Sequence, residues 1–366
     1  MKSALNLRAG TGAENFTDHL RLLDDEPPSF PNPETAHVAV IGLGYVGLPL
    51  AVGFSANSRA IGFEINVQKV EELRGGVDMT GEVTPQELKG ADIEFTTDPH
   101  QLSNADVIVV CVPTPVNSHN RPDYSPLLAA SRTIGSHIRR GTVVVFESTV
   151  DPGTTEDKCL PIIEQVSGFK EGIEFFLGYS PERINPADPT RKLPDIKKIV
   201  AGSTPAVADF LEKLYSRVVK AGLFKASSIR VAEAAKILEN TQRDVNIALM
   251  NQMMALFDKM GIQASDVIAA AGSKWNFHHY RPGLVGGHCI AVDPYYLVDA
   301  GRRLGLPWTW SLPRVPSTSR RRSSWSRNSK RCSPRGSKAC MASRCSYWAG
   351  ASRKTAPTPA TPRPFR

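Results

Sequence analysis

From His37 onward, short apolar runs alternate with stretches of helical character. Val38–Ile41, Ala60–Phe63, Val107–Val112 and Thr142–Phe146 are almost wholly apolar and rich in β-branched residues. Strands read this way when helices cover both faces of a parallel sheet. A later pair, Phe175–Gly178 and Lys198–Ala201, extends or closes that sheet. The alternation predicts βαβ units and an α/β fold with a doubly wound parallel sheet. Residues 231–260 then predict one long helix, stopped by Gly261. Its apolar positions are Val231, Ala234, Ala235, Leu238, Val245, Ala248, Leu249 and Met253, at roughly helical spacing. Such a helix is about 45 Å long, which suits a connector between domains or a dimer interface. Met250, Met253, Met254 and Met260 are expected to pack in a core. Residues 1–36 are polar, end in a proline-rich stretch, and form an N-terminal extension.

The pattern breaks after Leu306. Residues 307–366 have no apolar period, hold four of the five Trp, and contain 14 Lys and Arg but no Asp or Glu. A segment of this composition is expected to be disordered. Ser, Arg and Pro enrichment without acids also matches a shifted reading frame of GC-rich DNA, which we favour over a genuine basic arm. The charge changes meaning accordingly. Of the chain's 44 basic residues, 14 lie in this tail, so residues 1–306 carry 30 basic against 36 acidic side chains. The overall +8 therefore belongs to the tail, and the body, at about −6, does not track nucleic-acid phosphates. At 41% hydrophobic over 366 residues, the chain can bury a sizeable core in about two domains. Neither a signal-peptide core nor an apolar run long enough to span a bilayer occurs, so a cytoplasmic protein without membrane partners is expected. Cys111, Cys159 and Cys289 are scattered without CxxC pairs, and no metal site is expected. Cys111 and Cys159 read as structural.

Three stretches carry chemistry. Gly42-Leu-Gly44-Tyr45-Val46-Gly47 is a GxGxxG that follows a strand and opens a helix. Gly42 permits the tight turn, Gly44 lets backbone approach a pyrophosphate, and Gly47 lets helix and strand pack closely. Glu64 ends the second strand, 22 residues after Gly42, where an acid binds ribose hydroxyls. Its charge repels a 2′-phosphate, so the Rossmann-like domain is expected to bind NAD rather than NADP. The second stretch is Arg281-Pro-Gly-Leu-Val-Gly-Gly-His288-Cys289, followed by Asp293-Pro294. Asp293 reads as the N-cap and Pro294 as the first position of a helix through Leu304. Cys289 would then lie beside a helix N-terminus, where a thiol pKa falls; on residue types alone a buried structural cysteine is equally open. His288 activates that thiol or is simply carried beside it by the glycines, and His278-His279 make a poor metal pair. In the long helix Lys236 and Asn240 share a face. Thr149 and Glu182 each follow a strand at its C-terminal end, where ligands of open α/β sheets bind.

Taken together, GLGYVGLPLA (42–51), STVDPGTT (148–155), YSPERINPAD (179–188), VAEAAKILENTQRDVNIAL (231–249) and RPGLVGGHCIAVDPYYL (281–297) resemble the nucleotide-sugar 6-dehydrogenases. This is the UDP-glucose/GDP-mannose dehydrogenase superfamily, and the likeness is closer to its UDP-N-acetylhexosamine branch. The resemblance implies a four-electron oxidation of a sugar C6 alcohol to a carboxylate by NAD. It implies that Cys289 traps the aldehyde as a thiohemiacetal that becomes a thioester, while Lys236 and Asn240 stabilise the oxyanion. By the same likeness Asp293 orients these groups, and Thr149 and Glu182 lie near the attacking water and the base. The implied cofactor residues are Gly42, Gly44, Tyr45, Val46, Gly47, Glu64, Lys69, Thr114 and Thr149. Arg183, Asn185 and Arg281 are the implied substrate contacts, and a homodimer or higher homo-oligomer is implied.

Two departures from the pattern matter. UDP-glucose enzymes commonly place Lys one residue before the loop Asp, where this chain has Val292; that favours a 2-acetamido sugar, without choosing between GlcNAc and GalNAc. Family members also continue into another Rossmann-like domain that binds UDP, which residues 307–366 do not resemble. The expected organisation is thus an extension (1–36), an NAD-binding domain (37–229), a central helical region with the cysteine loop (230–306) and the basic tail. A chain of this kind is expected to bind NAD and turn over weakly, for surface-polysaccharide precursor synthesis. UDP-glucose or GDP-mannose oxidation, and a non-catalytic dimerising fragment, are the alternatives; a nucleic-acid-binding tail is the least favoured.

Overall fold

The computed structural model describes residues 30–56, 58–184, 190–285 and 292–306. Val38–Ile41 (β1) leads through the glycine-rich turn into Gly47–Ser55 (α1) and returns as Ala60–Phe63 (β2). Val67–Arg74 (α2) and Pro85–Gly90 (α3) precede Ile93–Thr96 (β3). Val107–Val110 (β4), Ser125–His137 (α4), Val143–Phe146 (β5), Leu160–Ser167 (α5) and Phe176–Tyr179 (β6) follow. Lys198–Gly202 (β7), Pro205–Ser216 (α6) and Leu223–Lys225 (β8) complete the sheet. Ile229–Met260 (α7), Ala264–Gly272 (α8) and Asp293–Arg303 (α9) complete the described helices.

Among the described residues, eight strands form one sheet in the order β3-β2-β1-β4-β5-β6-β7-β8. Val38 pairs with Ala60 on one side and Val107 on the other, so the chain reverses direction of travel across the sheet at β1. A crevice opens there beyond the strands' C-terminal ends. β6 and β7 are antiparallel, while the other neighbouring strands run parallel. Apolar residues point both ways, as a doubly covered sheet requires. Val38, Val40, Val107, Val109, Val143 and Val145 pack under α1 and α6, with Phe54, Leu211 and Leu214. Ala39, Ile41, Ile108, Val110, Val144 and Phe146 pack under α4, α5 and the start of α7, with Ile134, Ile163 and Ile229.

Several expectations need correction. β3 and β8 lack the wholly apolar run of the central strands: β3 is IEFT, half-buried in its first two residues, and β8 is LFK at the sheet edge. β4 stops at Val110 and β6 begins at Phe176, because the residues beyond turn away to form loops. The long helix is capped by the Ser228 side chain, which accepts from the Val231 N–H, and ends at Gly261 with φ +70°. Its buried face is not the apolar stripe read from spacing. Ala232, Glu233, Lys236, Ile237, Asn240, Ala248 and Asn251 face inward, whereas Val231, Leu238, Leu249, Leu256 and Met260 are exposed. The methionines do not form a core either: Met250, Met253 and Met254 are half-buried and Met260 is exposed. A helix that buries Glu233, Lys236, Asn240 and Asn251 while leaving large apolar side chains exposed packs those polar groups for a reason other than burial energy.

Candidate active site

The glycine-rich turn is built by close approach. Gly42 leaves β1 with φ +87° and donates its N–H to the Phe63 carbonyl at 2.9 Å. A Cβ on Gly42 would lie 2.9 Å from the Cys111 carbonyl oxygen, and one on Gly47 only 2.0 Å from the Gly42 carbonyl oxygen. Gly44 differs: a Cβ there would meet no described atom within 4 Å. Tyr45 and Val46 complete the turn and Val46 precedes the first residue of α1. Glu64, just past β2, accepts from the Leu43 and Asn66 N–H groups, each at 3.2 Å. Lys69 in α2 stands 3.5 Å from the same carboxylate. The acid is thereby tied to the turn it must serve. Thr114 lies half-buried in the loop after β4. Tyr296 of α9 reaches that loop, donating to the Pro115 carbonyl at 3.1 Å and meeting the Thr114 side chain. An open turn at a helix N-terminus, with an acid past the next strand bonded to it, fits a dinucleotide diphosphate and ribose.

The polar face of α7 gathers a second group. Asn240 donates from Nδ2 to Asp293 Oδ2 at 2.5 Å, in a buried contact. Burial pushes the Asp293 carboxyl up to about 6, against the opposing pull of the Asn240 bond and the Lys236 charge. Lys236 is itself buried, so its ammonium, Asn240 and Asp293 form one low-dielectric group able to hold negative charge developing on oxygen. Asp293 is not the N-cap expected of it. α9 begins at Asp293 with Val292 at the cap position and no side-chain cap bond, because the carboxylate is committed to Asn240. The helix ends at Arg303, one residue short of the expected Leu304.

Thr149 follows β5, half-buried, and Glu182 follows β6, buried. Glu182 Oε1 accepts from the Arg183 and Ile184 N–H groups, and Lys198 faces its other oxygen at 3.5 Å. Arg183 is paired with Glu239 of α7 at 3.1 Å and donates to the Lys197 carbonyl at 2.9 Å. Arg281 is exposed, on a strand of chain anchored two residues later by Asn251. Asn251 both donates to the Gly283 carbonyl (2.8 Å) and accepts from the Gly283 N–H (2.9 Å). Cys289, His288 and Asn185 lie outside the described residues. Cys159 is buried, which pushes its thiol up to about 12, and burial likewise raises Cys111 well above an ordinary thiol; neither is poised as a nucleophile.

Some well-placed residues were missed. Glu233, fully buried on α7, accepts from the Gly153 N–H at 2.6 Å and the Thr155 N–H at 3.0 Å. It ties α7 to the STVDPGTT loop. Its spacing of three before Lys236 and seven before Asn240 was the available signal. Asp151, also fully buried, receives the Tyr124 hydroxyl and the Arg303 guanidinium, and the Thr154 hydroxyl at 2.8 Å. That cluster docks α9 on the sheet; Asp151 and Thr154 lie within STVDPGTT, but their partners Tyr124 and Arg303 fall in none of the quoted motifs.

Residues 36–219 match the NAD binding domain of the UDP-glucose/GDP-mannose dehydrogenase family, and residues 230–314 match its central domain. The chain belongs to this family. Among its curated relatives, Protein CapL of Staphylococcus aureus is 53% identical over 269 residues, covering 74% of this chain and 63% of CapL. The UDP-N-acetyl-D-glucosamine 6-dehydrogenase of Pseudomonas aeruginosa is 52% identical, covering 73% and 64%. In structure, the UDP-D-ManNAc dehydrogenase of Pyrococcus horikoshii superimposes with a TM-score of 0.68 at 35% identity, over 72% of this chain and 64% of that one. The chain thus spans 63–64% of the length of these two curated relatives. The Rossmann-like sheet, its glycine turn and the central helix are those of this dehydrogenase family, whose first domain binds NAD. No helix among the described residues is long and apolar enough to cross a membrane.

Proposed function

We propose that this chain acts in NAD-dependent oxidation of the C6 hydroxyl of a UDP-N-acetylhexosamine to the uronate, in the cytoplasm, for surface-polysaccharide precursors. The observation that carries the reading is the buried Lys236–Asn240–Asp293 group, set on the helix that crosses the C-terminal edge of a dinucleotide-binding sheet. Gly42, Gly44, Tyr45, Val46 and Gly47 hold the diphosphate, Glu64 and Lys69 the adenosine ribose, and Thr114 and Thr149 border the nicotinamide end. NAD+ held there would supply the hydride acceptor for both oxidations. Lys236 and Asn240 donate to the sugar oxygen as it gains negative charge, and Lys236 can accept and return the alcohol proton. Asp293 orients Asn240. Cys289 attacks the aldehyde carbon, which keeps the half-oxidised sugar attached until the second oxidation gives a thioester. Water releases the acid and the thiolate, with Glu182 as base. Arg183, Asn185 and Arg281 contact the substrate.

The exposed apolar stripe of α7 (Leu238, Leu249, Leu256, Met260) suits a second copy of the chain, as a homodimer.

The test is an NAD+ titration joined to NADH formation with UDP-GlcNAc and UDP-GalNAc. NAD+ is expected to bind at least about tenfold tighter than NADP+, because the Glu64 carboxylate opposes a 2′-phosphate. Cys289→Ser is expected to abolish NADH formation beyond the first oxidation while leaving NAD+ affinity unchanged. Equal turnover by the serine variant would remove the thiol from the mechanism, and equal affinity for NADP+ would remove Glu64 from the ribose.

A further inference from the structure

Lys198 is 1% exposed, at the start of β7 one strand in from the sheet edge, and none of the family motifs in the sequence contains it. Its ammonium lies 2.8 Å from Glu147 Oε2, 3.3 Å from the Pro181 carbonyl and 3.5 Å from Glu182 Oε2. Glu147, at the end of β5, is held on its other oxygen by the Tyr215 hydroxyl of α6 at 2.5 Å. Glu182 Oε2 is buried without a hydrogen-bond partner among the described atoms, so the ammonium is the group that faces it. Cys111, from the end of β4, and Glu82, from the loop before α3, look toward the same cluster.

A structural pin would need one carboxylate. Lys198 and Glu147 already neutralise each other, with Tyr215 and Pro181 completing their bonds. Bringing a second carboxylate to the ammonium adds repulsion between Glu147 and Glu182 and leaves the buried group one negative charge in excess. That arrangement lowers stability and makes sense where Glu182 has work to do. Glu182 follows β6 on the ligand-binding edge at 7% exposure, while Lys198 and Glu147, each 1% exposed, are the more deeply buried members of the group.

We propose that Lys198 is a positioning residue for Glu182, its ammonium, shared with Glu147, holding the Glu182 carboxylate in place at the site. This rests on the reading of Glu182 as the base above. In that step the water oxygen bonds to the acyl carbon, its O–H bond breaks, the proton passes to Glu182, and sulfur leaves with the electron pair of the acyl–sulfur bond.

The test needs no turnover. Infrared difference spectra of the full chain, with and without Glu182→Gln, isolate the Glu182 band, and a pH series gives its protonation midpoint. The comparison is Glu147→Gln against Glu147→Gln/Lys198→Met, which removes one charge of each sign and spares the fold a lone buried carboxylate pair. Loss of Lys198 is expected to raise the midpoint by at least about one pH unit; an unchanged midpoint overturns the proposal. Should circular dichroism show the double variant unfolded, wild type against Glu147→Gln carries the test. With its competitor gone, the ammonium turns to Glu182, and the midpoint is expected to fall by about one unit; no fall overturns the proposal. NADH formation by a Glu182→Gln enzyme at the wild-type rate would instead strike the reading of Glu182 as base and leave the spectroscopic result standing.

Discussion

Gly47→Ala is expected to abolish measurable NAD+ binding and to lower the thermal midpoint, whereas Gly44→Ala is expected to weaken binding alone. The two glycines sit three residues apart in one turn but meet different surroundings. The added methyl at position 47 would stand 2.0 Å from the Gly42 carbonyl oxygen and 3.1 Å from the Cys111 Cβ. Both are fixed: Gly42 is held by its bond to Phe63 and by its positive φ, and Cys111 continues β4. The start of α1 must therefore move away from β1. Overpacking of this kind costs about 1–3 kcal/mol or more. It also turns the N–H groups of the turn away from the diphosphate. Losing two charge-assisted hydrogen bonds at about 1.5–3 kcal/mol each amounts to at least about a hundredfold in affinity. At Gly44 the same methyl touches no described atom within 4 Å, so only an approaching ligand would feel it. Calorimetric titration and thermal melts of both variants decide the matter. If Gly44→Ala bound NAD+ as tightly as wild type, the diphosphate would not cross that residue.

Much of the sheet was legible because each central strand is a run of four apolar residues buried on both faces. β1, β2, β4 and β5 needed no tertiary information to be found. β3 and β8 did: with Glu94 in one and Lys225 in the other, their pairing comes from neighbours. The glycine turn was legible for a different reason, since its three glycines answer to local steric demands now seen at Gly42 and Gly47. α7 misled because apolar spacing reports where a helix sheds water without saying onto what. The inward face takes Glu233, Lys236, Asn240 and Asn251, each with a charge or amide to satisfy. The outward face keeps the apolar stripe. Asp293 was misassigned by the same kind of shortfall. An Asp before Pro is a good cap in isolation, but Asn240, 53 residues away, takes the carboxylate. Lys198, Glu147 and Asp151 could not be read from spacing at all. Their partners come from separate strands and helices, and only the assembled sheet brings them together.

Between about pH 4.5 and 7, the folded chain is expected to lose stability as pH rises, by about 3 kcal/mol through Glu233 alone. Burial pushes the Glu233 carboxyl from 4.5 up to about 7, even though the Gly153 and Thr155 N–H groups favour its charged form. In that window the folded state keeps a proton that the unfolded chain has released. Stability then falls by about 1.4 kcal/mol per pH unit, over roughly two and a half units. Asp293 adds a contribution of the same sign in a lower window, since burial raises it from 3.8 to about 6. Glu87 works the other way: its bond to Lys192 holds it down to about 2, so its contribution is lost only as pH falls below about 4.5. The windows separate the causes. Urea unfolding at about pH 5 and about pH 8, on the wild type and on Glu233→Gln, measures the effect. Glutamine keeps the shape of the side chain and cannot titrate, so between these two pH values the variant is expected to show a pH dependence smaller by about 2.5 kcal/mol. Equal slopes for the two proteins would mean that Glu233 is ionised throughout, stabilised by its two N–H donors more than burial opposes. The distinction bears on the site, because those donors belong to the loop that carries Thr149. A Glu233 that changes charge near neutrality pulls harder on that loop when ionised, and so links the loop's position to pH through the same helix face that presents Lys236 and Asn240.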